Sequence, residues 1–116
     1  PENNAFVTQP RARVKGIIRD YDKLQEKYKN QMRLYVMSKD ENDDNYVLQS
    51  VVTVDPQGSY EGIVKLGTLE TGDGHRYHIA VFVTYFKINR EVNATIPFLP
   101  FNKGKATIYV TRKDDF

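Results

Sequence analysis

Hydrophobic and polar residues alternate along most of this chain, most clearly between Val51 and Tyr85: VVTVDPQGSYEGIVKLGTLETGDGHRYHIAVFVTY. Successive side chains on a strand point to opposite faces, so a period of two predicts half-buried β-strands. The pattern predicts strands over Tyr46–Val54, Ser59–Leu66 and Tyr77–Lys87. Pro56-Gln57-Gly58 and Thr71–Gly74 supply the turns between them, since Pro presets φ and Gly tolerates values that other residues avoid. In the last of these strands Tyr77, Ile79, Val81, Val83 and Tyr85 share one face, and Ala80, Phe82 and Phe86 the other. That predicts a central strand covered on both sides.

The flanking segments extend the same reading. Phe6 and Val7 open a first edge strand, and Pro10 marks a break after it. In VKGII, Gly16 interrupts an apolar run, which predicts a bulge or a close backbone approach at that position. MRLYVMS and ATIYVTR read as further strands, and the Pro-containing stretch 88–103 as a connection with an edge segment. Residues 20–31 depart from the pattern: Tyr21, Leu24 and Tyr28 recur at intervals of three and four, which predicts one short amphipathic helix. The fold expected is all-β: an antiparallel sandwich of about seven strands in a single domain over 1–116, with one helical insertion.

Composition narrows the function classes. The 116 residues contain no Cys, which removes disulfide scaffolds, thiol catalysis and thiolate metal sites. Net charge is +2, and although the first third is basic, Asp20, Asp22 and Glu26 interrupt it. A nucleic-acid surface concentrates its cations, so a solvated mixed-charge face is the better reading. No apolar run is long enough to cross a bilayer. The chain starts at Pro1, and a domain excised from a longer protein is expected, with any anchor lying in the parent.

Candidate chemistry is sparse. Asp40, Asn42 and Asp44 sit at alternate positions in the acidic run Asp40–Asn45, as at the start of a calcium loop, but Asn45 stands where the loop needs Gly and Val51 where it needs Glu. His75 and His78 would face opposite sides of a strand and share no third ligand. No nucleophile–base pair or phosphate-cradling loop is legible, so no enzyme, cofactor or metal is expected. The eight tyrosines exceed what so small a core holds; exposed Tyr suits contacts to sugars, bases or proteins, and Tyr equally favours strands for their own sake. In the helical insertion, Tyr21, Leu24, Lys27 and Tyr28 are the expected partner-contact residues.

PENNAFV followed by VKGII, then LYVMS, VVTVDPQGSYEGIVKLG and RYHIAVFVT, resembles bacterial immunoglobulin-like accessory domains. The likeness spans most of residues 1–112. Such β-sandwiches are appended to multidomain or membrane-attached proteins, so the resemblance implies a non-catalytic binding or spacer module that contacts a protein partner or other domains of its parent. It also implies an extracytoplasmic or membrane-attached location. Two alternatives stand beside it: sugar binding through exposed tyrosines, and single-stranded nucleic-acid binding on an OB-like barrel.

Overall fold

Two sheets face each other across one core in the computed structural model, which describes residues 3–49, 54–100 and 102–114. The described strands are β1 (Ala5–Val7), β2 (Arg11–Ile17), β3 (Arg33–Asp40), β4 (Tyr46–Leu48), β5 (Ser59–Lys65), β6 (Arg76–Thr84), β7 (Thr95–Ile96) and β8 (Gly104–Arg112). One helix, α1 (Tyr21–Lys27), lies between β2 and β3. The larger sheet runs β1-β8-β6-β3-β4-β7, and the smaller pairs β2 with β5. The larger sheet is mixed, because β1 runs parallel to β8 while its other pairings are antiparallel.

The period-two pattern locates the core. Ala12 and Val14 of β2 and Val64 of β5 meet Leu34, Val36, Tyr77, Ile79 and Val110 of the larger sheet. Val36, Val64, Ile79 and Val110 are within 1% of full burial. Each such side chain contributes roughly 1.5–3 kcal/mol of transfer free energy. A second, smaller core covers the opposite face of β6, where Ile88 and Leu99 from the Pro-containing connection pack on Tyr35, Met37, Leu48 and Phe82. The Ile88 amide also donates to the Tyr35 hydroxyl at 2.8 Å. The expectation that this strand is covered on both sides therefore holds, and the connection supplies the second cover.

Strand ends differ from the sequence reading. The strand expected over Tyr46–Val54 is regular only to Leu48; residues 50–53 lie outside the described residues, and Val54 makes an isolated bridge to Tyr60. β6 stops at Thr84, whose hydroxyl donates to the carbonyl of Phe86 as the chain turns away. Tyr85 and Phe86 are consequently exposed and do not continue the two faces.

One aromatic contact braces the smaller sheet, and two polar residues lock the sheets together. Gly16 stands opposite Tyr60 in the β2–β5 register, and the Tyr60 ring lies where a Cβ on residue 16 would project. Neither a bulge nor a backbone approach occurs at this glycine; the space is taken by an aromatic side chain. Gln49 joins the layers: its Nε2 donates to Ser38 Oγ at 2.7 Å, and its Oε1 accepts from the Lys65 amide at 3.0 Å. Arg112, fully buried, donates through Nη1 to the carbonyls of Leu66 (2.7 Å) and Thr71 (2.6 Å). Gly72 completes that corner at φ +100, where a Cβ would strike the Tyr77 hydroxyl.

Candidate functional site

The insertion helix is half docked. Tyr21 and Leu24 are half-buried: the Tyr21 hydroxyl accepts from Gln25 Nε2 at 2.7 Å, and Leu24 lines a cleft with Ile17, Ile18, Leu34 and Tyr60. Lys27 and Tyr28 belong to a different cluster, in which Tyr28 stacks on Tyr85 at 5.6 Å and the ammonium groups of Lys27 and Lys103 sit over the Tyr28 ring. The four expected contact residues therefore divide, with two serving the docking of α1 and two forming a cationic aromatic knot at its far end.

The remaining tyrosines are also engaged. On the outer face of the larger sheet, register places Tyr109 beside His78 and His78 beside Lys39. The Tyr109 ring stacks on His78 at 4.7 Å, and the Arg76 guanidinium lies 4.1 Å from its centroid. The Tyr46 hydroxyl meets His78 Nδ1 at 2.9 Å. Burial, with help from Lys39 and Lys105, pushes the His78 pKa below its ordinary value. Burial likewise raises the Tyr46 pKa, with Tyr109 adding to it. Tyr35 and Tyr77 are buried, and Tyr60 fills the space over Gly16 with its pKa raised by burial. Most of the tyrosines are thus knitted into the fold.

The acidic run divides as well. Asp40 ends β3 and pairs with His75 Nδ1 at 2.5 Å, while Glu41–Asn45 are exposed. Among the described residues no three His, Asp or Glu side chains are grouped to hold a metal ion. His75 and His78 have separate partners.

A different surface emerges at the smaller sheet. The outer strands of the larger sheet are short, three residues in β1 and two in β7. β2 is seven residues long and pairs only with β5, so no described strand is hydrogen-bonded to its other edge. An open edge presents a row of backbone donors and acceptors. Arg11, Arg13, Lys15 and Ile17 alternate outward along it, with Ala12 and Val14 turned into the core. From β5, Glu61, Ile63 and Lys65 join that outer face. Four cations thus share the face with one carboxylate, Glu61, which holds Arg13 Nε at 3.2 Å. A groove of about 360 Å³ runs between this edge and β1, lined by Phe6, Val7, Gln9, Arg11, Ala12 and Arg13. Phe6 is 70% exposed at its mouth, and Ile17 and Ile63 are 63% and 49% exposed on the adjoining face.

Sequence reasoning missed this edge because the alternation that predicts a strand does not say which of its sides is paired. It also missed Arg112. The available signal was parity: Arg112 is in phase with Ile108 and Val110, which turn inward, and Asp114 follows two residues later. Comparison with family models, curated proteins and solved structures finds no match to this chain.

Proposed function

We propose that the chain is a non-catalytic, immunoglobulin-like binding module that holds an extended acidic segment of a partner protein along the open edge of β2. The immunoglobulin-like reading is supported by strand order: β8-β6-β3-β4 opposite β2-β5 follows the G-F-C-C′ and B-E arrangement of that fold. The accessory role in a larger membrane-attached bacterial protein rests on the resemblance of VKGII, LYVMS and RYHIAVFVT.

The observation that carries the proposal is the seven-residue edge, unpaired among the described residues, with three cations at alternate positions. Strand addition draws affinity from main-chain hydrogen bonds and selectivity from every second side chain. A peptide lying beside β2 with Asp or Glu at alternate positions sets those carboxylates against Arg11, Arg13 and Lys15, and an apolar residue at its end meets Phe6. Nucleic acid fits less well, since single strands need open aromatic faces and the rings nearest other cations are already stacked.

Anisotropy of a labelled ten-residue peptide alternating Glu with Val tests this. Binding is expected, weakened about tenfold by Arg13→Glu with Lys15→Glu, since exposed ion pairs each contribute modestly. Equal binding of a Lys-for-Glu peptide, or tighter binding of an oligothymidylate, would overturn it.

A further inference from the structure

We infer that the cleft between the sheets at the Asp40 end is a binding site for one neutral, pyranose-sized polyol. This inference is independent of the β2 edge.

The cleft encloses about 400 Å³, space for one or two sugar rings but not for a bundled chain. Its polar groups can be assigned direction. Asp40 accepts only, so the His75 Nδ1 hydrogen is spent on it and the Asp40 carboxylate keeps acceptor capacity toward the cleft. Thr68 Oγ1 already accepts the amides of Glu70 (3.2 Å) and Thr71 (3.0 Å), so its own hydrogen goes to Thr71 Oγ1 at 2.8 Å. The Thr71 hydroxyl hydrogen is then available to the cleft. Ser38 Oγ, 4% exposed as a residue and accepting from Gln49, likewise keeps its hydrogen to donate.

Acceptors and donors therefore alternate around one cavity. The Asp43 carboxylate adds an acceptor, and Asn93 also lines the cleft. A hydroxyl both donates and accepts, and a polyol presents several in a ring. Val47 and Tyr77 supply an apolar flank for the C–H face of such a ring. Anions are disfavoured by Asp40 and Asp43, and the fixed donors Thr71 and Ser38 argue against a bare cation. A neutral polyhydroxylated ring satisfies both constraints.

Saturation-transfer difference NMR on the full chain with glucose, galactose, mannose and N-acetylglucosamine, each at about 10 mM, is the test. Millimolar binding of at least one is expected, as a small ligand with few anchors gives. Amide shifts should centre on Thr71 and His75. Thr71→Val and Asp43→Asn, both at exposed positions, should each weaken binding threefold or more without moving the melting midpoint, and Arg13→Glu should leave it unchanged. No transfer from any of the four sugars, or shifts centred on Tyr28 and Tyr85, would overturn the inference.

Discussion

Arg112 and Asp114 form a two-point pair across two residues of one strand end, Nε to Oδ1 and Nη2 to Oδ2, both at 2.8 Å. The remaining guanidinium nitrogen bonds two carbonyls of the facing layer, so this cation closes a corner between the sheets. Arg112→Met leaves those carbonyls and the carboxylate without donors. Circular dichroism melts should show the midpoint fall by roughly 10 °C or more, with Arg112→Met/Asp114→Asn recovering part of it.

The same pair sets an acid limb. Hydrogen bonds from Arg112, then its charge, hold the Asp114 pKa below the ordinary value. A depressed carboxyl stabilises the fold fully above its unfolded pKa, about 3.9, and loses that contribution as pH falls through the folded value. Wild type should lose stability below about pH 4 more steeply than Asp114→Asn, the two converging in acid. Parallel curves through that range would remove the pair from the account.

Gly16 and Tyr60 give a packing prediction. Gly16→Ala pushes the Tyr60 ring out of its seat over β2 and should cost about 1–2 kcal/mol in urea unfolding. The Tyr60 pKa, raised by burial, should move back toward 10 in a spectrophotometric titration. In a Tyr60→Ala background the glycine substitution should cost much less, and an unchanged cost there would place the strain elsewhere.

The strands were legible in the sequence because each buried face leaves a period of two, as in β6 and in the Val110 to Arg112 end of β8. Spacing also foretold α1, whereas Gly16 makes room for the Tyr60 ring and not for the bulge or backbone approach expected. The partners of polar residues were not legible: Gln49 meets Lys65 sixteen positions away, and His75 meets Asp40 thirty-five away. Pairing at that separation is set by sheet order, which alternation does not encode. For the same reason the sequence left the tyrosines divided between binding and strand roles: Tyr46, His78 and Tyr109 lie side by side only once β4, β3, β6 and β8 are in register.

His78 should report that register through pH. Its pKa is lowered in the folded chain, chiefly by burial and then by Lys39 and Lys105, with Tyr46, Tyr109 and Arg76 completing its surroundings. Below about 6.5 the unfolded chain takes up a proton that the folded ring resists, so stability falls as pH drops toward the folded value. The imidazole resonance should titrate below 6.5, and His78→Gln should flatten this part of the stability curve. A titration above 6.5 would contradict the stacked, desolvated ring.

Amide hydrogen exchange with and without the Glu-Val alternating peptide tests the central claim most directly. Protection should appear at β2, between Arg11 and Ile17, and be lost in Arg13→Glu with Lys15→Glu, while the amides of β7 and α1 exchange as before. Protection confined to α1 around Lys27 and Tyr28, with β2 unchanged, would contradict the edge as the binding surface.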